Sequence, residues 1–221
     1  MGELLDLVTG LHKKTQRAYL DRMLDDKVFC MQKAKQYGQD YWDGDRRFGY
    51  GGYHYISDWW KPVAEALIDR YKLDSFSRLL DIGCGKSFLL YEIQRINPDI
   101  ELVGLDVSGY ALDNQHPSFE GRCFQYDARN KLPFDDDEFD LVISLGTLHN
   151  FKLHEVYQSL KEMKRVGAFQ YLTVESYRNE FELFNLECWA LTAESLLDPD
   201  EWGWMFKEAG YSGDFEFIYF E

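Results

Sequence analysis

The chain has 221 residues, a length that suits one large domain or one domain with an extension. Its formal charge of −15, from 39 acidic and 24 basic side chains, disfavours DNA and RNA as partners, since nucleic-acid binders carry a basic face. The four cysteines form no C-x-x-C pair, which indicates reduced thiols and a cytoplasmic protein. No apolar run approaches membrane-spanning length and the N-terminus lacks a signal-peptide core, so we expect no membrane contact.

The N-terminal third divides into two stretches. Residues 3–37 carry an amphipathic leucine pattern that predicts helix, and Gly38 ends it. We expect this helical extension to cap a ligand cleft; an appendage that makes a homodimer is the alternative. Residues 39–60 then mix glycine, tyrosine and charge without a period, which favours a binding loop. We expect a lid that lacks regular backbone pairing and orders on ligand binding; a rigid loop with internal ion pairs is the alternative.

The stretch 78–90 reads as a buried strand, a glycine turn and the start of a helix. Further strands are predicted at 101–106, 121–126, 139–145, 168–175 and 215–220. Helices are predicted at 62–71, 87–96, 109–114, 153–166 and from Asp198 to Gly210. Residues 176–197 form an aromatic insertion, expected to be partly helical. The domain division is therefore 1–60, the extension and lid, and 61–221, the main α/β domain with its insertion.

Acidic side chains end the first three strands of this pattern: Asp81, Asp106 and Asp127. Asp106 lies at the spacing expected for an acid that binds ribose hydroxyls. A run of four acids, Asp135–Glu138, is predicted to be a solvated turn, and no metal site is expected because no partner ligands accompany it.

These motifs, in this order, resemble the class I S-adenosylmethionine-dependent methyltransferases of the small-molecule type, with a methyltransferase-11-like core. The resemblance covers residues 76–175. It implies a Rossmann-like, doubly wound and mostly parallel sheet of six or seven strands, with S-adenosyl-L-methionine as the cofactor. Position 87, often a third glycine in the family, is serine here, and we expect its hydroxyl to cap the helix.

The resemblance also implies cofactor-binding residues. Asp81, Gly83 and Gly85 would hold the methionine part, Asp106 the ribose, and Asp127 the adenine amino group. The remaining predicted cofactor contacts are Tyr50 and Tyr53 of the lid, Lys86, Ser87, Val107, Ala128, Ser144 and Leu145.

A general base is needed only if the acceptor keeps its proton. His149 is the first candidate, since imidazole titrates near neutral pH, and a helix cap is its alternative role. Glu175 and Tyr55 are the other catalytic candidates. The predicted substrate-binding residues are Arg46, His54, Asn150, Tyr177 and Arg178. The alternative role of Arg178 is an ion pair with Glu175 or Glu180.

The expected activity is methyl transfer to a small polar molecule, such as a sugar or nucleotide-sugar intermediate of cell-surface glycan synthesis or another secondary metabolite. Two alternatives stay open: a protein or peptide acceptor, and a catalytically silent cofactor-binding subunit.

Overall fold

A computed structural model describes residues 2–221 as an α/β fold around one sheet. The helices are α1 (Thr9–His12), α2 (Tyr19–Leu24), α3 (Lys27–Ala34), α4 (Gln39–Trp42), α5 (Lys61–Tyr71), α6 (Phe88–Ile96), α7 (Gly109–Asp113), α8 (Leu153–Val166), α9 (Glu180–Trp189) and α10 (Pro199–Ala209). The strands are β1 (Arg78–Ile82), β2 (Glu101–Asp106), β3 (Arg122–Gln125), β4 (Phe139–Leu145), β5 (Gly167–Glu175) and β6 (Asp214–Ile218). Short 3-10 turns lie at Arg46–Phe48 and Leu148–Asn150.

The sheet is parallel throughout, in the order β3-β2-β1-β4-β5-β6, which confirms the predicted Rossmann-like class. The strand number left open by the sequence is six, because the insertion at 176–197 supplies α9 and no strand. The chain reverses its direction of growth between β1 and β4. A crevice therefore opens at the carboxyl ends of these two strands, where open α/β sheets bind ligands.

Helices cover both faces of the sheet, which explains why its central strands read as continuous apolar runs. Helices α8 and α10 pack on one face, with Leu160 and Trp202 fully buried. Helices α5 and α6 pack on the other, with Leu67 and Ile93 fully buried. None of the helices within residues 2–221 is long and apolar enough to span a membrane.

The N-terminal residues differ from the predicted run of helix over 3–37. Residues before α1 lie along the edge strand β6: the Leu5 N–H donates to the Phe215 carbonyl at 2.8 Å, and the Phe215 N–H to the Glu3 carbonyl at 3.0 Å. Beyond them, α1 to α3 are short separate helices. The segment therefore extends the sheet edge before it forms helix.

The buried carboxylate of Glu216 on β6 explains this path. It is 1% exposed and accepts the backbone N–H groups of Leu7, Val8 and Thr9 at 2.6–3.1 Å, together with the hydroxyl of Tyr171 at 2.5 Å. The first N–H groups of a helix have no partner inside it, so this acid satisfies them and fixes where α1 begins.

Residues 39–60 also differ from the prediction of a loop without backbone pairing. The segment contains α4 and a 3-10 turn, and its second half folds back on its first. The N–H of Tyr50 donates to the Tyr41 carbonyl at 2.9 Å, and those of Gly52 and Tyr53 donate to the Trp42 carbonyl at 3.1 and 2.9 Å. We call residues 39–55 the lid from here on.

Candidate functional site

The glycine turn after β1 is held by backbone hydrogen bonds from its neighbours. The N–H groups of Gly83 and Cys84 donate to the Leu105 carbonyl at 2.7 and 3.1 Å, and the Gly85 N–H donates to Asp106 Oδ2 at 2.8 Å. Gly83 has a φ of +84°, and a Cβ there would lie 2.0 Å from Thr147 Oγ1. Only glycine fits, because both the dihedral angle and the space exclude a side chain.

Ser87 occupies the position that is often glycine, and its predicted role as a helix cap is wrong. Its φ is +58°, in the left-handed region, and its side chain makes no capping bond to α6. The hydroxyl instead accepts the amide of Gln115 at 2.6 Å and lies 3.3 Å from the Cys123 sulfur. These contacts support a backbone conformation that costs a non-glycine residue of order 1 kcal/mol.

Two acids at the ends of β1 and β2 are buried beside this turn. Burial raises the pKa of Asp81 well above its ordinary value, and Oδ1 of this side chain is buried without a hydrogen-bond partner. Burial also raises the pKa of Asp106, against the opposing effect of the Ser108 and Gly85 N–H groups that donate to it. A buried acceptor without a partner is costly, and it marks Asp81 as a group placed for a ligand donor.

The first cavity, of about 310 Å³, opens at the ends of β1, β2 and β4. Gly83, Asp106, Asp127 and Leu145 line it, and Trp42 and Tyr50 of the lid close it from above. The Asp127 carboxylate is held by Arg129, whose guanidinium lies 2.6–3.1 Å from its oxygens, and this contact lowers the pKa of Asp127.

The lid is fastened over this cavity by a buried ion pair. Lys86 Nζ, on a side chain 4% exposed, lies 2.7 Å from both oxygens of Asp43 and 2.8 Å from the Tyr53 carbonyl. Trp42 packs over the turn, since a Cβ on Gly85 would be 2.8 Å from its ring, and it stacks on Tyr50 with ring centroids 5.3 Å apart. The lid therefore connects directly to the glycine turn.

The second cavity, of about 560 Å³, lies at the ends of β4 and β5. It meets the first along shared residues, including Tyr50, Leu145, Gly146 and Asn150. Aromatic side chains cover one side: Tyr53, Trp59, Trp60 and Phe88. His149 and Glu175 supply polar groups opposite.

His149 and Glu175 form a buried pair in this wall. The Glu175 N–H donates to His149 Nδ1 at 3.3 Å, and His149 Nε2 lies 3.5 Å from Glu175 Oε2. Burial lowers the pKa of His149, so the ring is neutral at pH 7, with its proton assigned to Nε2 by these contacts. The lone pair of the neutral ring, on Nδ1, is taken by the Glu175 N–H, and the side chain does not cap α8. The carboxylate of Glu175 is therefore the basic group that lines the second cavity.

Of the predicted residues, several lie in the cavity walls. Those that line the first or second cavity are Arg46, Tyr50, Tyr53, His54, Gly83, Asp106, Val107, Asp127, Ala128, Leu145, His149, Asn150 and Glu175. Those that stand behind a wall are Asp81, Gly85, Lys86, Ser87 and Ser144, all buried. The Ser144 hydroxyl donates to the Ile82 carbonyl at 3.1 Å and ties β4 to β1.

The structure places three predicted site residues elsewhere. The Tyr55 hydroxyl donates to Glu92 Oε1 at 2.5 Å, and its ring packs on Tyr91 and His116 outside both cavities. Arg178 is paired with Glu182 and Glu221, not with the Glu175 or Glu180 expected as its alternative partners. Tyr177 lines neither cavity. The geometry argues against catalysis by Tyr55 and against substrate contact by Tyr177 and Arg178.

Sequence reasoning missed other wall residues. Trp42, Thr147 and Thr192 carry no motif, and His12, which was not among the predicted site residues, is half-buried at the second cavity. Burial, together with the charge of Arg17, lowers the pKa of His12 to about 4. Arg17 and Arg22 of the N-terminal segment were also missed, because nothing in their spacing marks them.

Comparison with known proteins agrees with this architecture. A parallel sheet with a ligand crevice at the carboxyl ends of its strands places the protein in the Rossmann-like class of α/β folds. Residues 80–168 match the family model Methyltransf_11, a methyltransferase domain. The part of the chain from β1 to the start of β5 is therefore similar to the methyltransferase domains of this family.

The relatives differ in what their names say they act on. The malonyl-[acyl-carrier protein] O-methyltransferase of Legionella pneumophila is 27% identical over 122 residues, 52% of this chain and 43% of that protein. The ribosomal RNA small subunit methyltransferase C of Buchnera aphidicola is 24% identical over 115 residues, 48% of this chain and 34% of that protein. The chain thus spans less than half the length of both. The [4+2]-cyclase SpnF shares the fold, with a TM-score of 0.57 and 18% identity over 95% of this chain and 75% of that one.

Proposed function

We propose that this protein transfers a methyl group from S-adenosyl-L-methionine to a small polar molecule. The proposal rests on the observation that the two cavities are adjacent and share lining residues. One is lined by Asp106 at the end of β2, the other by Glu175 at the end of β5, and both share Leu145, Gly146 and Asn150. A cofactor and an acceptor bound side by side would meet at this junction.

The residues of the first cavity fit the cofactor. Gly83 lines this cavity with backbone that carries no side chain, and Asp81 lies behind its wall with a buried oxygen that has no partner. We assign Asp106 to the ribose hydroxyls and Asp127, with Ala128, to the adenine amino group. When bound, the cofactor supplies a methyl group already activated by a positive sulfur, so alignment and exclusion of water supply much of the rate.

Glu175 is assigned as the general base for an acceptor that holds its proton. Its carboxylate lines the second cavity, whereas the lone pair of neutral His149, on Nδ1, accepts the Glu175 N–H. His149 becomes a positioning residue, since it accepts the Glu175 N–H and its Nε2 lies 3.5 Å from the Glu175 carboxylate. This reverses the order of the two candidates expected from sequence.

A small acceptor suits the second cavity better than a macromolecule. Its volume of about 560 Å³ lies in the range of small-ligand sites, and the lid covers it. The charge of −15 argues against the RNA acceptor that the Buchnera relative's name indicates. We propose sugars and nucleotide sugars of glycan synthesis as the first compounds to test, and a cytoplasmic location.

The test is transfer of an isotope-labelled methyl group from the cofactor to a pool of small metabolites, followed by identification of the labelled product. We expect label in a small molecule and at least about 100-fold less in Glu175→Gln. Label only in protein or RNA would refute the small-molecule acceptor. Cofactor binding without any turnover across these pools would favour a silent subunit.

A further inference from the structure

Three arginines converge on one tryptophan at the inner end of the second cavity. The guanidinium carbons of Arg22, Arg46 and Arg17 lie 3.8, 4.9 and 5.4 Å from the centroid of the Trp189 ring. The three side chains, Trp189 and Glu175 line a recess of about 240 Å³. The recess shares Arg17, Arg46 and Glu175 with the second cavity and so continues it.

These arginines have no carboxylate partner, although the chain has 39 acidic side chains. Within residues 2–221, no carboxylate oxygen lies within 4.0 Å of the guanidinium of Arg17, Arg22 or Arg46. They donate instead to neutral acceptors, such as the carbonyls of Thr15 and Gly49. Arg17 Nε is buried without a partner. Arg46 is exposed, but Arg17 and Arg22 are half-buried, and half-buried positive charge without a carboxylate partner is costly, which points to a negative group supplied from outside.

The electrostatics agree with this geometry. Burial, together with the charge of Arg46, lowers the pKa of Arg22 to about 10 and that of Arg17 below its ordinary value. All three remain protonated at pH 7. Three guanidinium charges against one carboxylate leave the recess with a net charge near +2, which matches a phosphate dianion or a diphosphate better than a single carboxylate.

We propose that this recess binds a phosphate group of the methyl acceptor, so that the substrate is a phosphorylated or diphosphate-linked small molecule. The inference rests on the proposed function, since it assigns the second cavity to the acceptor. Trp189 holds the guanidinium planes by stacking, and the phosphate binds at their exposed N–H groups. The body of the acceptor then extends past Glu175 towards the cofactor cavity.

Arg46 and its neighbour Arg47 provide a matched pair of variants. Arg46 lines the recess, whereas Arg47 lies outside it and pairs with Asp25 at 2.6 Å. Arg17→Gln is a second test variant. Arg22 is left unchanged, because it also donates to the carbonyls of Arg46 and Gly49 and so supports the lid.

The experiment titrates the full chain, saturated with S-adenosylhomocysteine, with inorganic phosphate and pyrophosphate at constant ionic strength and follows the melting temperature. We expect saturable stabilisation by both anions in the wild type and in Arg47→Gln, and at least tenfold weaker binding in Arg46→Gln and Arg17→Gln. Comparable saturable stabilisation by acetate or malonate would overturn the choice of phosphate.

The controls separate this inference from the proposed function. Each variant is first shown to bind S-adenosylhomocysteine as the wild type does, by calorimetry. Intact cofactor binding without a saturable phosphate response overturns the phosphate site and leaves the methyltransferase proposal standing. A saturable phosphate response with no S-adenosylhomocysteine binding supports the site and overturns the methyltransferase proposal.

Discussion

The ion pair between Lys86 and Asp43 offers the sharpest test of how the lid is held. Lys86→Met keeps the volume of the side chain but removes its charge and all three of its contacts, two to Asp43 and one to the Tyr53 carbonyl. Breaking a buried pair by removing one partner costs about 3–5 kcal/mol. Asp43 is 18% exposed and retains the Tyr110 hydroxyl at 2.9 Å, so we expect a smaller loss of about 2–3 kcal/mol in lid closure.

The backbone bonds within the lid report this loss. If the lid opens as a unit, the amides of Tyr50, Gly52 and Tyr53 exchange only after opening. A loss of about 2–3 kcal/mol should accelerate their hydrogen exchange about 30- to 140-fold. Amides of the sheet should be unaffected.

A matched control is Lys33→Met, which removes a more exposed lysine pair in the same region. Lys33 and Asp40 are 35% and 47% exposed, and such a pair contributes at most about 1 kcal/mol. Equal acceleration in both variants, or none in Lys86→Met, would refute the reasoning. The prediction that ligand further protects residues 39–60 is tested by adding S-adenosylhomocysteine to the same samples.

Three other predictions concern single acids. Glu216→Gln should lower the free energy of unfolding by at least about 3 kcal/mol in urea titrations, since an amide cannot accept all the N–H groups that donate to the carboxylate. The control, Glu208→Gln at an exposed position, should change it by less than about 0.5 kcal/mol. Because the pKa of Asp81 is raised on folding, the protein without ligand should lose stability as pH rises from about 4 through that raised pKa. This pH-dependent loss should be absent in Asp81→Asn. Identical profiles of stability against pH in the wild type and in Asp81→Asn would contradict the prediction. Because neutral His149 only positions Glu175, the pH profile of the methyl-transfer rate should show no ionisation near pH 6.5. Glu175→Gln should lower activity more than His149→Gln does. The opposite order would restore His149 as the base.

The sheet was predictable because its signals are local. β2 and β4 begin and end where the sequence predicts, since each is an apolar run bounded by polar residues. Helix α10 was marked by Asp198, whose side chain accepts the Glu201 N–H at 2.8 Å, and by Gly210 with a φ of +67°.

The site was less predictable because long-range contacts decide it. Glu216 fixes the start of α1 from more than 200 residues away in sequence, so the leucine pattern of 3–37 wrongly predicted helix before Thr9. His149 was read from its ordinary pKa and its place after β4, and only the fold shows that its Nδ1 accepts the Glu175 N–H. Ser87 was misread because a left-handed backbone left its hydroxyl facing β3.

The recess lined by Arg17, Arg22 and Trp189 also depends on long-range contacts that the sequence does not reveal. Arg17 and Arg22 precede the motifs by more than fifty residues, and Trp189 follows them in the insertion. No sequence spacing connects these three, and only packing of α2 against α9 brings them together.

The central claim is that the first cavity binds the methyl donor. Calorimetric titration of the full chain with S-adenosylhomocysteine tests it most directly, with NADH as the competing dinucleotide ligand. We expect one S-adenosylhomocysteine bound per chain and no heat from NADH, with binding weakened by about 1.5–3 kcal/mol in Asp106→Ala. A folded sample that gives no heat with S-adenosylhomocysteine, or that binds NADH instead, would contradict the account.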